Sequence, residues 1–208
     1  MAAEKTRVPP IVLASASPRR EELLRLLGLE FQVVPSDFDE SAVAAWPPEG
    51  HVVQSASGKA QDVASGLDEA IVIGADTVVV VDDSILGKPT DDQDARRMLR
   101  VLSGRSHYVF TGLCVVKRQG GRTIACIEDY VRTEVCFGEL SDEVIDAYVG
   151  TGEPLDKDGA YGIQERGSVL VEGIVGDYFN VVGLPVYRLS RMLMELGVPL
   201  FGSRESET

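Results

Sequence analysis

Leu13-Ala14-Ser15-Ala16-Ser17-Pro18-Arg19-Arg20 is the stretch around which this chain is organised. Ahead of it, Ile11-Val12-Leu13 has the apolar, β-branched character of a short buried strand, expected over 11–14. Behind it, Glu21 to Leu27 carries leucines at helical spacing, and Gly28 is placed to end a helix over 18–27. Ser17 then falls at the N-cap and Pro18 at the first helical position. The first turn of a helix favours acidic residues, because the macrodipole is positive there, yet this turn carries Arg19 and Arg20. Two guanidinium groups beside exposed backbone N–H groups and the hydroxyls of Ser15 and Ser17 make an anion site, most naturally for phosphates. The plainer alternative is a pair of arginines pointing into solvent.

The 208 residues fit one domain, or two small lobes, with a substantial core. Hydrophobic residues at 44% and charged residues at 25% match an ordinary soluble globular protein. A formal net charge of −13 argues against general nucleic-acid binding, which needs a basic face. An anionic small molecule stays compatible with that charge if a local basic pocket and a divalent cation hold it. Cys114, Cys126 and Cys136 are odd in number and lack CxxC spacing, so neither a disulfide framework nor a zinc site is indicated. They lie in strand-like runs, where buried inert thiols are expected. No signal peptide opens the chain and no apolar run is long enough to span a bilayer, so a cytoplasmic protein is expected. Residues 1–208 read as a single domain, with 1–10 and 202–208 expected to be frayed or disordered.

Glu30 to Val34 reads as a second strand, followed by a loop carrying Asp37, Asp39 and Glu40, which alone would pass for solvated carboxylates. His51 to Gly66 has a helical apolar face, and Lys59 on it would ordinarily be a surface charge. Ala70 to Val81 is the most apolar run and reads as a central strand buried on both faces, turning at Asp82-Asp83 into Ile85-Leu86. Asp76 lies inside that run. A buried carboxylate must be hydrogen-bonded, paired with a cation or bound to a metal, and a turn aspartate capping Thr77 is the structural alternative. Gly87-Lys88-Pro89 fixes Lys88 at the end of the hairpin, and Thr90 with Gln93 reads as a capping box for the next helix.

From Ser106 to Phe137 the period becomes two, and Gln119-Gly120-Gly121 is a hairpin signal. His107 in that run is expected at the surface. Ser141 should cap a helix through Tyr148, and the Gly-rich segment 152–164 reads as a binding loop. A strand over Ser168 to Ile174, a turn over Gly176 to Asn180 and a closing helix over Pro185 to Leu196 complete a strand–helix alternation interrupted by an antiparallel hairpin.

Five segments, Ser15–Arg20, Gly74–Val78, Gly87–Pro89, Asp156–Gln164 and Asn180–Pro185, resemble in their order the Maf family of nucleoside triphosphate pyrophosphatases. The resemblance runs from about Ile11 to Leu196. It implies an α/β fold, a mixed elongated sheet flanked by helices with two lobes around a cleft, similar to inosine triphosphate pyrophosphatases. It also implies a cytoplasmic enzyme that depends on Mg²⁺ or Mn²⁺ and is commonly a homodimer.

The implied reaction cleaves a nucleoside triphosphate between its α- and β-phosphates. Arg19, Arg20, Lys59 and Lys88 would hold the polyphosphate and neutralise the leaving pyrophosphate, with Ser15 and Ser17 adding donors. Glu40 and Asp76 are the candidates for holding the metal through oxygen, Glu40 with Asp37 and Asp39 as neighbouring alternatives. Asp76 matches the family's proposed proton acceptor; metal ligand, base or both remain open for it. Arg19, Thr77 and Gln164 occupy the three positions that separate the family's subgroups, and their combination resembles the dTTP/UTP pyrophosphatase subgroup. The Gln164 amide, both donor and acceptor, suits the O4/N3–H edge of uracil or thymine. Asp158 stands where alanine is common, a departure along with Glu165-Arg166. The competing readings are a pyrophosphatase preferring modified nucleotides such as m7GTP, and a nucleotide-binding regulator of cell division with little turnover.

Overall fold

The computed structural model describes residues 8–200. Seven strands form one mixed sheet: β1 (Ile11–Leu13), β2 (Phe31–Val33), β3 (Ala70–Val81), β4 (Ser84–Leu86), β5 (Ser106–Gln119), β6 (Arg122–Phe137) and β7 (Val171–Val175). Their order is β2-β1-β3-β5-β6-β7, with β4 paired to the outer end of β3. β2, β1 and β3 run parallel, and every other pairing is antiparallel. Of the lead-in, Val8 packs on the core and the Pro10 carbonyl accepts the Ile71 N–H at 2.8 Å. The expected frayed residues 1–7 and the tail 202–208 lie outside the described residues.

β3 is the axis. Its odd-numbered side chains face one layer and its even-numbered ones the other, as the period of two requires. On the odd face, Ile71, Ile73 and Ala75 pack with α1 (Pro18–Arg25) and α6 (Val186–Glu195). Farther along the same face, Val79 and Val81 pack with α3 (Asp92–Leu102) and α4 (Asp142–Val149). These two clusters are the cores of two lobes strung on the same strands. On the even face, α2 (Pro48–Ser65) lies across Val72, Val78 and Val80. Two glycines set its height. A Cβ at Gly74 would sit 2.1 Å from the Ala56 carbonyl oxygen, and one at Gly112 2.1 Å from that of Val52.

The parallel neighbour β1 covers Ile71–Ile73, and β4 covers Val79–Val81 on the same side of β3. Between them Gly74 to Val78 has no strand partner on that edge, while β5 runs unbroken along the other. This gap in the sheet, centred on Asp76, is the cleft between the lobes.

Several local expectations are corrected. The cap expected at Thr90 lies one residue later: Asp91 caps α3 by accepting the Asp94 N–H at 2.8 Å, and Asp94 reaches back to the Thr90 N–H at 3.1 Å. Carboxylates outcompete the Thr90–Gln93 pair because they also answer the helix macrodipole. Gly176 to Asn180 is not a simple turn; Asp177 caps a short helix, α5 (Tyr178–Val182). Residues Arg166–Leu170 form a 3-10 turn, so β7 starts three residues later than expected. His107 is buried rather than at the surface, its Nε2 2.8 Å from the Tyr161 hydroxyl within a cluster that includes Phe137. Cys114 is buried as expected, but Cys126 is exposed and Cys136 intermediate, because β6 is an outer strand with one face in solvent. Among the described residues no helix is long and apolar enough to cross a membrane.

Candidate active site

The β1–α1 turn delivers the first cations. Ser17 caps α1, with Pro18 in the first turn, and the Ser15 hydroxyl accepts the Ser17 N–H at 3.1 Å. Arg20 then folds back into the gap. Its Nε donates to the Gly183 carbonyl at 2.9 Å and its Nη2 to Thr77 Oγ1 at 3.1 Å. Gly183 is itself anchored through Asn180 at the centre of α5. The fully buried Asn180 donates from Nδ2 to the Val109 carbonyl at 3.0 Å and to Thr133 Oγ1 at 2.9 Å. The guanidinium is therefore held in one orientation, with burial working against its charge and the carboxylates of Asp76, Asp158 and Glu40 working for it. Arg19 lies nearer solvent and reaches Asp156 Oδ2 at 3.4 Å.

Across the gap, α2 brings Lys59 between two carboxylates. Its Nζ is 2.7 Å from Asp76 Oδ1 and 2.8 Å from Glu40 Oε1. Lys59 is thus no surface charge; its side chain is only 13% exposed. Asp76 is almost fully buried, and among the described residues its Oδ2 accepts no hydrogen bond. His51, two turns before Lys59 on α2, places Nε2 3.8 Å from that oxygen, while its Nδ1 lies 3.0 Å from the Val43 carbonyl. Glu40 opens a 3-10 turn, Glu40–Val43, capped by Asp39. Burial pushes the Glu40 carboxyl up, but the Lys59 hydrogen bond and the charges of Lys59, Arg20 and Lys88 together hold it below the usual range. The alternatives Asp37 and Asp39 do not share this position: Asp39 is spent on the cap, and the Asp37 backbone N–H is tied to Asp62.

The other lobe adds Lys88, Asp158 and Gln164. The Gly159 N–H donates to the Gly87 carbonyl at 3.0 Å, which ties the Lys88 loop to the 3-10 turn carrying Asp158. Burial raises the Asp158 carboxyl to about 6 against the opposing charge of Lys88. Lys157 is buried and turned inward, donating to the Glu153 carbonyl and to Asp156, each at 2.9 Å.

A cleft of about 770 Å³ is bounded by Ser15, Ser17, Arg19, Arg20, Glu40, Lys59, Lys88 and Gln164. Behind Arg20 a small recess of about 60 Å³ is walled by Thr77, Asp158, Tyr161 and Gly183. Ser15, Ser17, Arg19, Arg20, Glu40, Lys59, Lys88 and Gln164 thus border one cleft, from both lobes, Thr77 lines the recess behind it, and Asp76 joins it through Lys59, whereas Asp37 and Asp39 do not. Thr77 is the exception in direction, because its hydroxyl is engaged by Arg20 and by Thr111 Oγ1 at 2.9 Å. His51 is not singled out by the sequence reading, the Asn180–Gly183 anchor enters it only within the segment Asn180–Pro185 with no role, and Asp158 only as a departure from a pattern. The eight-residue interval from His51 to Lys59, two turns on one helix face, was the available signal.

The charge inventory defines what the cleft can hold. Four cations on its walls suit a polyanion. Two carboxylate oxygens already converge on a single cationic centre, the Lys59 ammonium, and hard oxygen donors so arranged fit Mg²⁺ or Mn²⁺.

Residues 10–196 match the family model described as Maf-like protein. The chain is 52% identical over 192 residues to a dTTP/UTP pyrophosphatase of Moorella thermoacetica, covering 92% of this chain and 97% of that one. It is 48% identical over 191 residues to a dTTP/UTP pyrophosphatase of Dictyoglomus thermophilum, covering 91% and 97% respectively. A solved HAM1 protein from Coxiella burnetii matches with a TM-score of 0.47 and 17% identity, over 89% of this chain and 98% of that one.

Proposed function

The chain belongs to the Maf-like protein family, and from that premise we propose that it hydrolyses nucleoside triphosphates, dTTP and UTP foremost, to the monophosphate and pyrophosphate. The observation that carries this reading is the meeting of Glu40 and Asp76 on one cationic centre in a cleft walled by Arg19, Arg20 and Lys88. Relatives at 46–52% identity carrying the dTTP/UTP pyrophosphatase name support the same substrates.

In this mechanism Arg20 and Arg19, with the hydroxyls of Ser15 and Ser17 and the start of α1, bind the phosphate chain. Arg20 does so with little reorganisation, since Gly183 and Thr77 already fix its plane, and a donor held in place before charge develops is worth most. Lys88, from the opposite lobe, and Lys59 neutralise the pyrophosphate as the α–β bridging oxygen leaves with it. Asp76 accepts the proton of the water that attacks the α-phosphorus, and Oδ2 is the oxygen available for it because Oδ1 is held by Lys59. Glu40 and Asp76 would hold Mg²⁺ or Mn²⁺, which supplies further charge neutralisation along the triphosphate. Gln164, on the cleft wall, would read the pyrimidine edge with its amide.

The deciding experiment is pyrophosphate release from dTTP, UTP and m7GTP with Mg²⁺, by the wild-type chain and by Asp76→Asn. The expected result is turnover of dTTP and UTP ahead of m7GTP, and a loss of about 10²–10⁴-fold in Asp76→Asn with its melting transition retained. Nucleotide binding without turnover in the wild type would refute the enzyme reading. A preference for m7GTP would refute the substrate assignment.

A further inference from the structure

On the α2 face of the β5–β6 hairpin, away from the cleft walls, three potential ligands stand together. The register places Cys114 opposite Glu128 and Val116 opposite Cys126, so Cys114, Cys126 and Glu128 project to the same side. The two sulfurs are 3.6 Å apart, and Cys126 Sγ is 4.0 Å from Glu128 Oε1. All three ligand atoms lie within 4.8 Å of one another.

A tetrahedral zinc ion, with Zn–S about 2.3 Å and Zn–O about 2.0 Å, sets its sulfurs about 3.8 Å apart and a sulfur–oxygen pair about 3.5 Å apart. The sulfur–sulfur and Cys126–Glu128 spacings need adjustments of about half an ångström or less to meet that geometry, and the Cys114–Glu128 pair, within 4.8 Å, closes by at most about 1.3 Å through rotation of the exposed Glu128 side chain. We propose that Cys114, Cys126 and Glu128 bind one thiophilic divalent ion of the Zn²⁺ class, with the fourth coordination position open to solvent.

Access and support fit this assignment. Cys114 forms the buried floor, while Cys126 and Glu128 are exposed and form the mouth. On α2 the Ser57 hydroxyl, a polar neighbour of Cys114, accepts from Gln61 Nε2 at 2.8 Å. Each ion bound displaces two thiol protons to solvent and forms two metal–sulfur bonds, with no oxidant involved. The spacing of twelve residues between the cysteines matches no zinc motif in sequence; the hairpin register alone brings them together.

Cobalt(II) added to the reduced full-length chain tests the site. The expected result is a sulfur-to-cobalt charge-transfer band with intense tetrahedral d–d absorption, saturating at one equivalent, displaced by Zn²⁺ and lost in Cys126→Ser. Cys126 is exposed, so that variant keeps its fold, checked by circular dichroism. Cobalt held at Glu40 and Asp76, beside His51, has no sulfur ligand and gives no sulfur-to-cobalt charge-transfer band. Weak octahedral absorption alone, or an unchanged charge-transfer band in Cys126→Ser, would overturn the proposal, whatever the outcome for nucleotide hydrolysis.

Discussion

Replacing His107 by phenylalanine should flatten the acid limb of this protein's stability curve. His107 is 1% exposed, packed edge-on to Phe137 and Tyr161, with Nε2 bonded to the Tyr161 hydroxyl and Nδ1 without a partner. A charged ring carries protons on both nitrogens, and the one on Nδ1 has no acceptor in this apolar cluster. Burial accordingly lowers its pKa from 6.5 to about 4. The sign follows from linkage. The unfolded chain takes the proton at a higher pH than the folded one, so folded stability falls as pH drops below about 6.5 and stops falling below about 4.

At 1.36 kcal/mol per pH unit, the whole loss is about 3.4 kcal/mol, and about 2 kcal/mol of it has accrued by pH 5. His107→Phe leaves the Tyr161 hydroxyl unpaired, which should cost about 1–3 kcal/mol at pH 7.5. The stability gap between wild type and variant should then close by about 2 kcal/mol between pH 7.5 and pH 5. Asp158 works in the opposite direction: its folded carboxyl, at about 6, takes up a proton before the unfolded one does, so protonation there adds stability as pH falls. That contribution is common to both proteins and cancels in the subtraction. Urea unfolding at several pH values measures the gap directly. Parallel curves for the two proteins would refute the reasoning.

Three shorter predictions address the site. Gly112→Ala should destabilise the fold by about 3 kcal/mol and lower turnover, because its Cβ drives α2, and with it Lys59 and His51, off the sheet; urea melts and pyrophosphate release measure both effects. Gln164→Ala should change the rate ratio between UTP and m7GTP by about 2- to 10-fold, the worth of one neutral hydrogen bond, and an unchanged ratio would remove its specificity role. Chelation by EDTA should stop pyrophosphate release and added Mg²⁺ should restore it; activity persisting in metal-free buffer would contradict the Glu40–Asp76 assignment.

Much of the frame was legible because periodicity and capping act locally. The bounds of β3, the cap at Ser17 and the hairpin at Gly120-Gly121 follow from residue types within a few positions of one another. What escaped depends on partners distant in sequence. His107 has the pattern of an ordinary strand residue, and only Phe137 and Tyr161, brought over it by β6 and the loop before β7, bury it. Lys59 resembles a surface charge until two close-packed glycines press α2 onto the sheet and set its ammonium against Asp76. Asp158 stood out as a deviation without a reason; its neighbours Lys88, Asp76 and Arg20 come from three separate segments. Chemistry drawn from single motifs was readable, whereas its wiring was not.

Strands β3, β5 and β6 run unbroken from one lobe to the other, past the missing stretch of edge beside Asp76. A frame of that kind resists hinging, since bending it would shear dozens of main-chain hydrogen bonds at once. Under the function proposed above, capture and release of a nucleotide therefore fall to the short 3-10 segments at the rim, the one opening at Glu40 and those leading to Gln164, as fingers on a stiff palm. On the same proposal, discrimination among bases depends on side-chain reach at that rim, where it could be retuned without disturbing the proposed bond-breaking centre beneath.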